Sequence, residues 1–384
     1  MKSNSDREIT RSVAIIGTRG YPSYYGGFET AVRKLAPFLV ERGWHTVVYG
    51  RPGAARMDDP ARDKRVEAVE TRGLETKSLS TLTFGLTSVL HACIRKPDAA
   101  IVMNVANGFW LPLLRLRGIP TVVNVDGIEW ERAKWGRLAK MMFKLGARLT
   151  AFFGQTLIAD SMEIARRWKV DFARESVFIP YGGDVPEDLP LVQGLEHRGY
   201  VLIVARFVPE NSVEEFFEAV PTIAKNYPVV IVGSSGYGGP LDEKADALSR
   251  QLENVHWLGH VSDDAKLLSL WQHCGVYFHG HSVGGTNPAL VQAMACGAPT
   301  VARDTVYNRE VLGERGSFTT IEPRDIVIAV RKLMDDSRLQ QEASANGLTR
   351  ATTTYSWEKV CEAYEREADR ATTSRRAAIA PVAR

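Results

Sequence analysis

Residues 276–302 read VYFHGHSVGGTNPALVQAMACGAPTVA. Val276–Phe278 is short and apolar, as a buried strand is. Gly284 and Gly285 follow, and they permit backbone angles and close approaches that other residues resist. Thr286 or Asn287 can cap a helix, and Pro288 suits its first turn. The helical pattern Pro288–Cys296 comes next, and then a second apolar run, Thr300–Ala302. A strand, a glycine turn and a capped helix N-terminus together make an anion site. The same letters also serve an ordinary helix start, so the chemistry depends on what surrounds them.

Working outward, the alternation continues in both directions. Tyr200–Val204, Val229–Val232 and Val255–Leu258 read as further strands. Val213–Lys225, Leu241–Leu252, Asp263–His273, Arg324–Asp335 and Trp357–Arg370 carry helical periodicity. The first half repeats the theme. Its strand candidates are Val13–Ile16, Thr46–Tyr49, Ala99–Met103, Thr121–Val125, Gln155–Ala159 and Val177–Ile179. Helical patterns fit Thr30–Arg42, Leu82–Arg95, Phe109–Leu116, Glu131–Leu149 and Met162–Trp168. Continuous apolar strands separated by helices imply parallel sheets covered on both faces. The chain is therefore α/β, with two Rossmann-like, doubly wound halves in tandem. The expected boundaries are 1–185, 186–355, a C-terminal helix over 356–370 packing back on the first domain, and a fraying tail over 371–384. The Pro- and acid-containing stretch 185–198 reads as the linker.

Composition agrees with two soluble domains. A chain of 384 residues, 45% hydrophobic, is too long for one ordinary core. Cys93, Cys274, Cys296 and Cys361 form no CxxC, which argues against a zinc site or a disulfide framework and suits a reducing cytosol. The opening MKSNSDREITRS has no apolar core of a signal peptide. No apolar run reaches the ~18 residues that span a bilayer. The net charge of +3 hides an asymmetry. Residues 1–185 hold 28 Lys+Arg against 19 Asp+Glu, and residues 186–384 hold 20 against 26. The two halves thus carry +9 and −6, which suggests different partners.

Arg206 follows the strand Tyr200–Val204, and ligands of open parallel sheets bind at strand carboxyl ends. It is placed to reach the same anion as the glycine turn, although a surface ion pair is the commoner use of an arginine.

Several segments now converge on a known family. ARFVPENSVEEF (205–216), IVGSSG (231–236), WLGHVSDD (257–264), HGHSVGGTNPALVQAMACGAPTVA (279–302) and YSWEKV (355–360) resemble the carboxyl lobe of family 4 retaining glycosyltransferases of the GT-B fold. IIGTRGYPSYYGGFET (15–30) and NVDGIEWERAKW (124–135) resemble a narrower subgroup that contains rhamnosyltransferases of cell-surface polysaccharide assembly. The likeness runs from about residue 12 to about 370. It implies two lobes facing a cleft, with a nucleotide-sugar held mostly by the second.

Residue by residue, the resemblance implies that Arg206 neutralises the donor diphosphate. Such enzymes usually carry lysine where this chain has Asn211, but the narrower subgroup resembles it in having ProGluAsn there. Asn211 can donate a hydrogen bond without charge. The two glutamates of such enzymes fall at Gly284 and Gln292. Gln292 can still accept a ribose hydroxyl, Gly284 cannot face the sugar, and Ser282 is the substitute within the loop. Gly285, Thr286, Asn287, Gly233 and His260 complete the implied donor site, with Gly26 and Gly27 reaching the diphosphate from the first lobe. Tyr24, Tyr25 and Phe28 could wall the acceptor side or simply pack around a turn. Glu29 either contacts the acceptor or sits in a first helical turn. Asp126, at the end of Thr121–Val125, is assigned to the substrate; related enzymes often carry histidine there, and a turn-forming Asp before Gly127 is the alternative. Gly17 and Gly20 do not make a G-x-G-x-x-G fingerprint, so a dehydrogenase is disfavoured.

Residues 131–148 hold Arg132, Lys134, Arg137, Lys140, Lys144 and Arg148 against Glu131, with Trp135, Met141, Met142, Phe143 and Leu145 between them. A basic amphipathic helix suits an anionic membrane surface, or a solvated helix packed on the sheet. No nucleic-acid reader motif accompanies it.

The expected reaction is retaining, metal-independent transfer without a cofactor. A sugar, rhamnose from dTDP-rhamnose by resemblance, moves to a hydroxyl of a lipid-linked or oligosaccharide acceptor. The expected location is cytoplasmic, including the inner face of the plasma membrane. The rivals are a GT-B nucleotide-sugar epimerase and a non-catalytic nucleotide-sugar-binding subunit.

Overall fold

A computed structural model describes residues 11–24, 26–75, 80–132 and 135–379, with 374–379 described by backbone alone. The chain divides into two compact units, Met1–Pro180 with Glu358–Arg384, and Tyr181–Trp357.

In the first unit, valine- and isoleucine-rich runs build a seven-stranded sheet. Its strands are β1 (Arg11–Ile16), β2 (Trp44–Gly50), β3 (Glu67–Glu70), β4 (Ala99–Met103), β5 (Thr121–Asn124), β6 (Thr156–Ala159) and β7 (Val177–Phe178). The order is β3-β2-β1-β4-β5-β6-β7. Every neighbouring pair is parallel, with Val13 opposite both Thr46 and Ala99. Helices α1 (Gly27–Glu41), α2 (Ser80–Arg95), α3 (Leu111–Leu116), α4 (Arg137–Phe153) and α5 (Met162–Phe172) make the connections. In α1, Val32, Leu35, Ala36 and Leu39 are buried, the stripe that a helix lays on a sheet.

The second unit repeats the plan with six strands. These are β8 (Val201–Val204), β9 (Val229–Val232), β10 (Val255–Trp257), β11 (Val276–His279), β12 (Thr300–Arg303) and β13 (Ser317–Thr319), in the parallel order β10-β9-β8-β11-β12-β13. Its helices are α6 (Val213–Ile223), α7 (Pro240–Gln251), α8 (Asp264–His273), α9 (Pro288–Ala295), α10 (Val306–Leu312), α11 (Pro323–Met334) and α12 (Ser337–Thr353). The core on one sheet face joins Ile203, Ile231, Phe278 and Val301 to Phe216, Phe217, Val220 and Ile326. In both units the strand order reverses beside the first strand, between β1 and β4 and between β8 and β11. That switch point is where open α/β sheets bind ligands.

Helix α13 (Trp357–Ile379) belongs to the first unit from Glu358 onward. Tyr364 accepts a hydrogen bond from Asn124 at 2.6 Å, and Glu365 accepts one from the Trp44 indole at 3.3 Å. The tail expected to fray from 371 is helical through Ile379, with Ala371 and Thr372 buried. Alanine and arginine are good helix formers, and composition alone had suggested otherwise. The linker read at 185–198 runs along α8 of the second unit. Gln272 takes the Leu189 N–H at 2.9 Å, and Ser269 donates to the Pro190 carbonyl at 2.7 Å.

Two edge strands, β3 and β13, and two helices, α10 and α12, lie outside the elements expected above. EAVE and SFT are short and lack an apolar run because an edge is half open to solvent. The pattern over 109–116 resolves into a 3-10 segment, Val105–Trp110, and the short α3. That over 131–149 becomes a 3-10 turn, Glu129–Glu131, and α4, which starts after Gly136.

Candidate functional site

At the carboxyl ends of β8, β11 and β12, three loops are stitched together by side chains. The loop after β8 carries Arg206, which is exposed, and a 3-10 turn, Pro209–Asn211. Ser212 then adopts φ +50 while fully buried. A serine in the left-handed region stores strain that its surroundings must hold. Its hydroxyl donates to the Gly280 carbonyl at 2.9 Å and accepts from Arg303 Nη1 at 2.9 Å. Asn308 Nδ2 donates to the carbonyls of His281 and Arg303, each at 2.9 Å.

Between β11 and α9 the glycine turn forms. Gly284 has φ +91, a conformation that side chains resist. Asn287 caps α9 by accepting the Ala289 N–H at 2.9 Å, and Pro288 occupies the first turn. Thr286 is buried beside it. The pieces of an anion site are present: a helix N-terminus, a glycine turn, and arginines on the two flanking strand ends.

Three assigned side chains bond to the chain itself. The Asn211 amide donates to the Arg206 carbonyl at 2.8 Å, and its oxygen accepts from His281 Nδ1. It therefore braces the Arg206 loop, a consequence of its burial. Ser282, the substitute expected to face the sugar, donates to the Glu210 carbonyl at 2.9 Å. Gln292, expected to take a ribose hydroxyl, clips Asp184. Its carbonyl accepts the Asp184 N–H at 3.1 Å, and its NH2 donates to the Asp184 carbonyl at 2.7 Å. A primary amide matches both groups of one backbone residue, whereas a carboxylate could serve only one of them.

Gly233 has φ +130, and a Cβ there would lie 1.8 Å from the Ala205 carbonyl oxygen. Its N–H donates to Gly259 at 2.7 Å, beside the exposed His260. Gly233 thus lets the β8 and β9 ends pack closely. His279, at the end of β11, is buried. Its Nδ1 meets the Tyr277 hydroxyl at 3.0 Å, and its Nε2 has no hydrogen-bond partner. Burial, with a smaller push from His281, holds its pKa well below the usual histidine range.

The first unit's strand ends carry a different set. Asp126 has φ +58 and accepts from Asn104 Nδ2 at 2.8 Å; its own N–H donates to Asn124 Oδ1 at 2.9 Å. Asn104 is itself left-handed, at φ +70. The turn-forming alternative for Asp126 therefore describes its backbone. Glu29 is buried and accepts the Arg19 N–H at 3.1 Å, so it ties the β1 loop to α1. Gly26 is the N-cap of α1 in an extended conformation, and Gly27 is its first residue. Phe28 is half-buried. Tyr24 is bonded to Asp59, with the Arg33 guanidinium 3.8 Å from its ring centre, so a cation already occupies its stacking surface. Tyr25 lies outside the described residues.

Sequence reading missed Asn104 and Arg303. Both stand at strand carboxyl ends, so the rule that found Arg206 and Asp126 could have found them.

Residues 192–350 match the family described as glycosyl transferases group 1, and residues 81–184 match a domain of unknown function, DUF1972. The O-antigen chain mannosyltransferase B of Escherichia coli is 27% identical over 186 residues, which is 45% of this chain and 46% of that protein. The N,N'-diacetylbacillosaminyl-diphospho-undecaprenol alpha-1,3-N-acetylgalactosaminyltransferase of Campylobacter jejuni is 25% identical over 158 residues, 40% of each chain. The chain thus spans about half the length, or less, of these curated relatives. Among solved structures, sucrose-phosphate synthase from Thermosynechococcus elongatus superposes with a TM-score of 0.75 at 16% identity, covering 95% of this chain and 100% of that one. Anabaena Alr3699/HepE in complex with UDP and glucose gives 0.73 at 16% identity, covering 93% and 99%. The chain has the GT-B fold, and its second unit carries the region that resembles glycosyl transferases group 1.

Proposed function

We propose that this chain is a glycosyltransferase that takes a sugar from a nucleotide-diphosphate donor to a hydroxyl of a lipid-linked or oligosaccharide acceptor. One observation carries the reading. The stitched strand ends of the second unit set Arg206, the Gly284 turn and the capped α9 together, inside the region that matches glycosyl transferases group 1. In the reaction the bond from the sugar's anomeric carbon to the diphosphate oxygen breaks, and the diphosphate keeps the electron pair. A new bond forms to the acceptor oxygen, whose proton passes to the leaving phosphate. Arg206 and the α9 N-terminus stabilise the negative charge as it develops. Retention of configuration follows from attack on the face that the diphosphate leaves, without a metal ion.

The acceptor reading draws on the Campylobacter relative, whose name contains a diphospho-undecaprenol. The surface of α4 supports a membrane position. Leu138, Met141, Leu145 and Phe152 are exposed and fall on one stripe of the helix. Arg137, Lys140, Lys144 and Arg148 run alongside. Arg132 is instead paired with Glu129 at 2.8 Å, and Lys134 lies outside the described residues. No helix among the described residues is long and apolar enough to cross a membrane. An apolar stripe flanked by cations binds at an anionic interface, with its apolar side in the headgroup region.

The donor sugar is open to direct test. Rhamnose follows from the sequence resemblance, whereas the relatives are named for mannose and N-acetylgalactosamine. Thermal shifts with dTDP-rhamnose, GDP-mannose and UDP-N-acetylgalactosamine identify the donor, since a ligand at 100 times its Kd stabilises by about 2.7 kcal/mol. With that donor, Arg206→Gln weakens binding about tenfold to a hundredfold, the loss of one charge-assisted contact. Full transfer by Arg206→Gln at low donor concentration would overturn the assignment.

A second reading, a nucleotide-sugar-binding subunit without turnover, is favoured by one observation. Gln292 and Ser282 are spent on backbone groups, and Gly284 has no side chain. Donor binding without transfer onto extracted lipid-linked acceptors would establish it.

A further inference from the structure

Arg303 is the cation of the second unit that the reading above leaves without a task. It ends β12 and is half-buried. One of its N–H groups reaches Ser212 Oγ, and that hydroxyl is itself anchored to the Gly280 carbonyl. Its own carbonyl is held by Asn308. The guanidinium therefore rests between the loop that follows β8 and the glycine loop that follows β11. Among the described residues no carboxylate pairs with it; the adjacent Asp304 is engaged by Arg309.

A guanidinium taken partly out of water loses some hydration, and an anion beside it would replace what one hydroxyl does not. A brace to one serine hydroxyl needs a single neutral donor, not a guanidinium with five N–H groups. Ser212 is strained and fully buried, so the geometry that holds Arg303 is over-determined. Charge also argues for a task. The neighbouring Asn211 is neutral and has its amide engaged, and residues 186–384 are acidic on balance. Arg206 alone would leave a diphosphate incompletely neutralised.

We propose that Arg303 is the second fixed positive charge for the diphosphate of the donor, acting with Arg206 from the opposite side of the β11 loop. The inference rests on the donor-binding reading of the second unit. It adds a residue, at a different strand end, that specifies a diphosphate over a bare nucleoside.

The test uses the full chain, inorganic pyrophosphate and matched nucleosides and nucleoside diphosphates, read by calorimetry. Arg303→Gln weakens pyrophosphate and nucleoside diphosphate binding about tenfold or more and leaves nucleoside binding unchanged. Equal losses for nucleoside and diphosphate would make Arg303 a brace and overturn the proposal. A second measurement avoids substitution altogether. Modification of arginines by phenylglyoxal, mapped by mass spectrometry, slows about tenfold at Arg303 when pyrophosphate is bound, while the exposed Arg315 reacts as before. An unprotected Arg303 in a chain that does bind pyrophosphate overturns this inference alone. A wild-type chain that binds neither pyrophosphate nor any nucleoside diphosphate overturns the donor reading beneath it.

Discussion

At the end of β5, the fifth strand of the first unit, Asp126 accepts a hydrogen bond from Asn104 at the end of β4. At the end of β12, the fifth strand of the second unit, Arg303 donates to Ser212 in the loop after β8. The strand order around both points is the same. What differs is the sign of the charge and where the network closes. In the first unit the Asp126 carboxylate takes the Asn104 amide, its backbone N–H goes to Asn124, and the buried Glu29 takes a backbone N–H. The second unit ties three loops through Ser212, Asn308 and the Arg303 guanidinium, and leaves Arg206 exposed beside them. One layered fold thus presents a carboxylate in one copy and cations in the other. The ligand is set by a few strand-end residues and not by the sheet.

The comparison can be broken most sharply at Gly233. Alanine there places Cβ against the Ala205 carbonyl and forces a left-handed alanine. The expected cost is about 4 kcal/mol, confined to the second unit. Limited proteolysis during thermal unfolding reads the units separately. Equal loss from both units would mean that their stabilities are not independent.

The next effect belongs to α4. Lys144→Gln with Arg148→Gln lowers partitioning onto vesicles containing phosphatidylglycerol by about 2 kcal/mol, at about 1 kcal/mol per charge. Vesicle co-sedimentation of the full chain measures it. Unchanged partitioning would return α4 to a solvated helix.

A smaller effect separates the two roles of Asp126. Glycine adopts φ +58 freely, which offsets the lost hydrogen bond to Asn104. Asp126→Gly is therefore expected to change stability by less than about 1 kcal/mol and to lower transfer about tenfold. Full transfer by a stable variant would leave Asp126 a turn residue.

The last test concerns pH. Buried His279 is depressed below its ordinary value, so its contribution is fully present above about pH 6.5. It is lost as pH falls from there toward the folded value, because the unfolded chain takes up the proton first. The slope from this one group is at most about 1.4 kcal/mol per pH unit. Urea unfolding of wild type against His279→Gln between pH 7.5 and 5 isolates it. Parallel pH profiles would show that His279 takes up its proton in the folded chain.

Much of the fold was legible because parallel strands are buried on both faces and must be apolar throughout. Val229–Val232 and Ala99–Met103 are readable as strands for that reason, and β3 and β13 at the edges are not. Helix α12 escaped because its face is largely polar. At the site, strand-end position found Arg206 and Asp126. It could not say that Asn211, Ser282 and Gln292 would spend their polar groups on Arg206, Glu210 and Asp184. Those partners lie up to 108 residues away in sequence.

The sequence by itself determined the α/β class, the doubled parallel plan, the glycine turn before a capped helix, and the opposite charges of the halves. These depend on local period, turn chemistry and composition, which neighbouring letters carry. Only the tertiary structure decided which side chains remain available to a ligand. Buried polar groups must find partners, and a folded chain brings together groups that its order keeps apart. Arg303 is the clearest case: once three strand ends meet, it lies against Ser212 beside the β11 loop, and among the described residues no carboxylate pairs with it.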